Sequence, residues 1–426
     1  MSEIVQAYES VKWGEQFTLG TCNLRKNHLS YRYIVGEYGL TVYWNRTGSR
    51  KNKIVRYKFM AIGANEKVRV GIIGCGGIAN GKHMPSLAKI PQVEMVAFCD
   101  IVIERAEAAA AKYGAPGAAV YEDYKKLLED KTIDVVHVLT PNRAHSFITV
   151  DALDAGKHVM CEKPMAINSV EAKKMIDAAK RNGKKLTIGY QNRQRNDSQF
   201  LKAEADAGTF GDIYYAKATA IRRRAVPTWG VFLNEYEQGG GPLIDIGTHA
   251  LDLTLWTMNN YKPAYCLGTT YHKLNNDTET GNAWGDWDPA KFTVEDCAFG
   301  MVVMEDGATI NLESAWALNT LDVREAVTSV CGTKAGGDLW NDGVRINGIR
   351  QGRQYVLTPD LSAGGVAFYD GASGDSPAVR EARQWINAII NDKNPCVLPE
   401  QAYCVTQILE GIYTSAKTGD IYRFDK

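Results

Sequence analysis

Three side chains have the types and positions from which alcohol chemistry can be built. Lys163 follows the apolar run His158-Val159-Met160-Cys161 and Glu162, and precedes Pro164, so it stands at a strand end where the chain turns. An ammonium at such a point donates to a hydroxyl oxygen and lowers the cost of negative charge developing there. The peptide before Pro164 is also the kind at which a cis bond costs little. Farther on, Gly239-Gly240-Gly241 leads into a run at helical spacing that carries Asp245 and His249, four apart and so on one face. A carboxylate one turn from an imidazole fixes its tautomer and raises its basicity, as a general base toward an alcohol requires. Each feature also has a plainer reading, a solvated lysine at a strand end and a surface ion pair.

Such groups need a partner for the electrons, and an earlier stretch supplies one. Val68-Arg69-Val70-Gly71-Ile72-Ile73 is an apolar, β-branched run of the kind buried on both faces. It breaks into Gly74-x-Gly76-x-x-Ala79, with Gly77 and Ile78 between, ahead of a helix-like stretch from Met84 to Ile90. Gly74 permits the tight turn, Gly76 lets backbone approach a pyrophosphate, and Ala79 lets the helix pack on the strand. A second apolar run, Val93 to Cys99, ends in Asp100, 26 positions past Gly74. A carboxylate there binds a ribose and repels a 2′-phosphate, so the expected cofactor is NAD.

At 426 residues the chain has room for two or three domains. Lys plus Arg equals Asp plus Glu at 49 each, so no net field draws nucleic acid or an anionic membrane, and a small neutral partner is expected. Nine scattered cysteines without a CxxC pair point to reduced thiols and a cytoplasmic setting. No apolar run reaches membrane-spanning length, and the seven histidines do not cluster with cysteines, so no metal is expected.

In chain order, residues 1–66 form an extension with 10 basic and 5 acidic side chains. Within it, strand-like runs at Tyr31 to Val35 and Leu40 to Trp44 flank Gly36-Glu37-Tyr38-Gly39, a hairpin signal. So short an aromatic segment is expected to pack on its own or a neighbouring subunit. Residues 67–191 alternate strands (68–74, 93–100, 134–140, 158–162, 185–191) with helices (84–90, 102–113, 145–155, 168–182), which predicts an α/β doubly wound parallel sheet. Ligand-contacting residues should then lie at strand ends, which carry Asp100, Thr140-Pro141-Asn142, Glu162-Lys163-Pro164 and Tyr190-Gln191-Asn192-Arg193. Residues 192–426 change to longer strands (213–221, 297–304, 308–315, 325–331), an open and mostly antiparallel sheet with one face free. Two polar insertions, Asn275 to Ala290 and Ser362 to Pro377, interrupt it, and helices near 378–391 and 400–417 brace the junction.

The fingerprint, the acid-ended second strand, Thr140-Pro141-Asn142 with His145, Cys161-Glu162-Lys163-Pro164-Met165 and the Asp245/His249 helix occur together and in order. The combination resembles the glucose–fructose oxidoreductase/inositol dehydrogenase/rhizopine-catabolism family, Gfo/Idh/MocA, from about residue 67 to the end. The resemblance implies an N-terminal Rossmann domain, a C-terminal α/β domain whose large open sheet serves oligomerisation (dimer to hexamer), and hydride transfer between a sugar- or cyclitol-like secondary alcohol and a nicotinamide. It implies that Lys163, Asp245 and His249 are the catalytic set: His249 removes the hydroxyl proton, Asp245 orients it, and Lys163 polarises the oxygen. Asn142, His145 and Glu162 match positions that contact the nicotinamide half, and Thr140, Lys163 and Gln191 are further candidates for cofactor contact. Arg193, Arg223 and Trp229, with Asp245 and His249, are the candidates for substrate contact. Trp229 and the Trp284 to Trp287 insertion suit the apolar face of a pyranose; several members of the family oxidise C3 of a glucoside, and a cleft with such bulky aromatic loops would suit a glycoside of that kind, even one with an aromatic aglycone. Two alternatives stay open, a glycosidase that uses NAD for transient C3 oxidation and elimination, and a non-catalytic sensor. Most members of the family begin almost at the fingerprint strand, whereas here 66 residues come first. A glucose–fructose oxidoreductase-like arm there implies contact with a neighbouring subunit.

Overall fold

A computed structural model describes residues 67–424 except 278, 341–342 and 362–374, together with the backbone of four strands between residues 24 and 57. These four, β1 (Leu24–Lys26), β2 (Leu29–Gly36), β3 (Gly39–Arg46) and β4 (Lys53–Tyr57), form an antiparallel sheet in sequence order. Gly36 pairs with Gly39 across the β2–β3 connection, as the hairpin signal predicts. This sheet belongs to one compact unit, Met1–Asn65, and the remainder from Glu66 forms another. The side chains of residues 1–66, and so their packing partners, lie outside the described residues, as does most of the Ser362 to Pro377 insertion.

In the larger unit, β5 (Val68–Ile73), β6 (Val93–Cys99), β7 (Ala119–Tyr121), β8 (Val135–Val138), β9 (His158–Cys161) and β10 (Leu186–Ile188) make a six-stranded parallel sheet. Its order, β10-β9-β8-β5-β6-β7, reverses at β5, so the crevice opens beyond the end of β5, between β6 and β8. Val70, Ile72, Val136, Val159 and Ile188 are wholly buried because helices cover both faces. The helices Ile103–Tyr113, Asn142–Asp154 and Ser169–Asn182 lie close to the expected spans. The first helix does not: it winds from Gly77, with a π-turn over Ala79–His83 before Met84–Leu87. Gly76, Gly77 and Gly81 dilute the helical signal there, and Pro85 cannot donate to a preceding turn.

The second sheet has nine strands, ordered β18-β17-β16-β15-β11-β14-β13-β12-β19. They are β11 (Ile213–Ile221), β12 (Pro263–Tyr271), β13 (Cys297–Met304), β14 (Thr309–Ala315), β15 (Arg324–Gly332), β16 (Ala335–Trp340), β17 (Gly343–Arg350), β18 (Arg353–Leu357) and β19 (Tyr422–Arg423). Only β11 and β14 run parallel, so the sheet is mostly antiparallel as expected. One face packs on the helices Thr248–Met258 and Pro399–Thr418. The opposite face exposes Leu267 and its cross-strand partner Met301, with Tyr271 farther along β12. Among the described residues no helix is long and apolar enough to cross a membrane.

Candidate active site

The fingerprint turn is shaped by Gly74, whose φ of +92° suits glycine and where a Cβ would meet the Leu139 carbonyl oxygen at 2.6 Å. Gly76 and Gly77 are different: a Cβ on either meets nothing within 4 Å, so both border open space at the crevice. Asp100 closes the other side. Its Oδ2 accepts from Cys75 N at 2.8 Å and its Oδ1 from Val102 N at 2.9 Å. A carboxylate has about four lone-pair positions, so two remain for a ribose diol. Thr140 Oγ1 is buried without a partner on the crevice's far wall. Open backbone, an anchored acid and an orphaned hydroxyl fit NAD: Gly74 to Ala79 would hold the pyrophosphate, Asp100 the ribose, and Thr140 the nicotinamide half.

Lys163 lies beyond the end of β9, followed by a cis bond to Pro164. Its Nζ reaches Asp245 Oδ1 at 2.8 Å and the Asp245 carbonyl oxygen at 2.9 Å. An ammonium has three N–H groups, so one is left to donate to a ligand. Asp245 Oδ2 accepts from Trp316 Nε1 at 3.0 Å. Burial works against the Asp245 charge, yet Lys163 outweighs it and holds the carboxyl below its ordinary range.

This geometry corrects the expected pairing of Asp245 with His249. Asp245 sits in a π-turn, Leu243–Gly247, whose wider winding replaces the α-helical spacing the pairing assumed. Both its oxygens are engaged elsewhere, and His249 Nδ1 is buried with no hydrogen-bond partner. The His249 ring instead packs edge-on to Tyr190, 6.0 Å between centroids, and the Tyr190 hydroxyl is fixed at 2.8 Å from Thr248 Oγ1. His249 is 8% exposed. Burial and the Lys163 charge push its pKa down to about 3, so the ring is neutral at ordinary pH with a free lone pair, and its basicity is lowered rather than raised as the expected pairing with Asp245 would have it.

Several strand-end residues face away from the crevice. Glu162 spends Oε1 on Lys82 Nζ and His83 Nε2, both at 2.7 Å, and Oε2 on the Lys163 N–H at 3.0 Å. It holds the backbone of Lys163 rather than an open ligand position. His145 has Nδ1 2.8 Å from the Pro164 carbonyl and Nε2 2.8 Å from the Thr140 carbonyl. Carbonyls only accept, so the ring ties two turns together instead of facing a nicotinamide. Gln191 Oε1 accepts from Lys82 Nζ at 3.0 Å, and Asn142 donates to the Gln238 carbonyl at 3.0 Å. Arg193 leaves the substrate candidates altogether. It is 0% exposed and bidentate on Asp252, with further bonds to Cys396 O and Gln401. Arg223 is exposed, with no side-chain partner among the described residues, and Trp229 is 52% exposed.

The sequence reading missed the groups that brace this set. Glu295 accepts from Gly241 N at 2.8 Å, Leu243 N at 3.1 Å and the Tyr413 hydroxyl at 2.8 Å, which pins the glycine turn ahead of Asp245. A Cβ on Gly240 would fall on the Tyr413 hydroxyl, so that turn accepts glycine alone. Behind Glu162, His83 must donate from Nε2, because a carboxylate accepts; its Nδ1 then accepts from His137 Nδ1 at 3.2 Å. His137 Nε2 is left as a bare, partnerless lone pair.

Lys82 also meets Glu381 Oε2 at 3.0 Å, bringing two carboxylates to one ammonium. Burial pushes the Glu381 pKa up to about 7 although Lys82 pulls it down. A folded pKa above the ordinary 4.5 means that the stability this group contributes is present below 4.5 and lost as pH rises through 7. Glu381→Gln copies the protonated acid. It should leave thermal stability little changed near about pH 5 and raise it by about 3 kcal/mol near about pH 8. Thermal melts at the two pH values check this; equal shifts at both would contradict it.

The comparisons agree with this geometry. The family described as "Oxidoreductase family, NAD-binding Rossmann fold" matches residues 68–190, and the "GFO/IDH/MocA C-terminal domain" matches residues 198–336. A D-glucoside 3-dehydrogenase of Escherichia coli is 35% identical over 352 residues, 83% of this chain and 96% of that protein. An inositol 2-dehydrogenase of Salmonella typhimurium is 36% identical over 198 residues, 46% of this chain and 56% of that protein. The structure of a levoglucosan dehydrogenase with NADH and levoglucosan superposes with a TM-score of 0.72 at 20% identity, covering 85% of this chain and all of that one, a likeness of fold. With its NAD-binding sheet and its second domain both matched, the chain belongs to the GFO/IDH/MocA oxidoreductase family.

Proposed function

We propose that this protein oxidises a secondary hydroxyl of a sugar or glycoside, with C3 of a glucoside the favoured position, and passes the hydride to NAD. The observation that carries the reading is the Lys163–Asp245 pair with neutral His249 beside it, at the strand ends where the fingerprint crevice opens. The 35% identity to a D-glucoside 3-dehydrogenase over nearly its whole length supports the choice of carbon.

Lys163 uses its remaining N–H to hold the substrate oxygen and to offset the charge that develops as the O–H bond breaks. His249 takes the proton at Nε2, since Nδ1 is enclosed. Asp245 holds Lys163 in place, and Trp316 keeps Asp245 from swinging away. Bound in the crevice, NAD supplies the acceptor for the hydride that leaves the substrate carbon. The products are a ketone, NADH and the proton on His249.

A panel of sugars, cyclitols and glycosides with NAD tests the reading. It predicts NADH formed in step with a 3-oxo-glucoside identified by mass. Free aglycone released without net NADH would point to elimination chemistry instead, and no hydride transfer from any compound would remove the proposal.

A further inference from the structure

Two exposed tryptophans are joined by ring contacts to the residue that fixes Asp245. Trp229 is 52% exposed and Trp284 44%, and their rings meet edge to face with centroids 5.0 Å apart. Trp229 packs on Phe232 at 5.9 Å, and Phe232 on Trp316 at 6.4 Å, the residue whose indole N–H holds Asp245. Trp229 is therefore linked by two ring contacts to Trp316, the buried residue that fixes Asp245, and Trp284 by one more.

This platform is rigid although it is built from two loops. Asn282 takes the Val226 N–H at 2.8 Å and donates to the Val226 and Gly285 carbonyls at 3.0 and 2.7 Å. Thr228 Oγ1 donates to the Trp284 carbonyl at 2.7 Å, and Ala283 N to the Arg224 carbonyl at 3.0 Å. The Arg222 guanidinium lies 5.2 Å over the Trp284 ring and is itself fixed on Glu325. Rings held in this way are costly to expose to water unless something covers them.

Chemistry separates the occupants. A second sugar needs free donors and acceptors for its hydroxyls, but Asn282, Thr228 and Arg222 are already engaged. What the platform offers is π-surface, with a cation fixed behind one ring.

We infer that the Trp229–Trp284 platform is a subsite for an aromatic aglycone, so that the preferred substrates are aryl glycosides. This rests on the glycoside reading above and extends it to the group on the anomeric carbon. That group projects outward from a pyranose whose C3 hydroxyl is directed to Lys163.

Calorimetry on the NADH-loaded protein tests the inference without turnover, comparing phenyl and methyl glucosides of the same anomer. The phenyl compound should bind about tenfold more tightly, the factor that well-placed aromatic contacts supply. Trp229→Ala and Trp284→Ala should each cut that advantage below about threefold. An advantage that survives in both variants, or that is absent from the unaltered protein, overturns the subsite. A protein that shows the advantage and its loss, yet transfers no hydride from any glucoside, keeps the subsite and sinks the oxidation reading.

Discussion

Lys163→Met is expected to lower kcat by about 10³-fold while NAD binding changes little, because the substitution keeps the side chain's length and removes its charge. The fingerprint and Asp245 respond differently to that loss. Gly74 to Ala79 and Asp100 touch no part of the lysine's charged end, so nucleotide affinity, read by NADH fluorescence titration, should stay within about twofold. Asp245 loses the cation that does most to hold its pKa down and keeps the Trp316 N–H and the Arg222 charge. A buried carboxylate left without its partner costs about 3–5 kcal/mol. Its folded pKa then rises, so the loss of stability appears above the ordinary carboxylate pKa of 3.8 and shrinks as pH falls below it. Adding Asp245→Asn to Lys163→Met should recover most of the melting temperature and none of the turnover. If the double variant regained activity, the ammonium would not be the group acting on the substrate oxygen.

His249→Gln should lower kcat by about 10²–10⁴-fold, the range for loss of a positioned proton acceptor. The pH profile distinguishes a chemical role from a structural one. With its pKa pushed down to about 3, His249 is already neutral across the working range. The profile of kcat/KM should therefore carry no inflection at the ordinary histidine value that disappears with the imidazole. An inflection near neutral pH that persists in the variant belongs to another group, and Glu381, with its pKa near 7, is the first to examine. An inflection at about 6.5 present only while His249 is there would mean a solvated, titrating ring, against its enclosure beside Tyr190.

How far the chain could be read from its sequence follows from the range of each signal. Val68 to Ala79 and Cys161 to Pro164 were legible because a strand, a turn and a chemical group follow one another within a dozen residues, and so was the parallel sheet. The short strand β7 and the helix Tyr124–Glu129 give no signal for lack of length, and β16 and β17 give none because glycines thin their apolar alternation. Asp245 was paired with His249 by the one rule that reaches four residues, whereas its partner Lys163 is 82 positions away. Arg193 shows the same limit. β10 ends at Ile188, and the 3₁₀ turn Gln191–Gln194 directs the guanidinium inward to Asp252, a partner 59 residues on. Trp316 and Glu381 gave no local signal, since each acts only through a contact that folding creates.

On the proposed reading, Lys163, Asp245 and His249 converge where a substrate carbon gives its hydride to NAD. Methyl glucoside deuterated at C3, incubated with the enzyme and NAD, tests it in one measurement: the account predicts deuterium in the isolated reduced nicotinamide and its absence with Lys163→Met. Reduced nicotinamide free of deuterium, or label transfer undiminished in that variant, would contradict it.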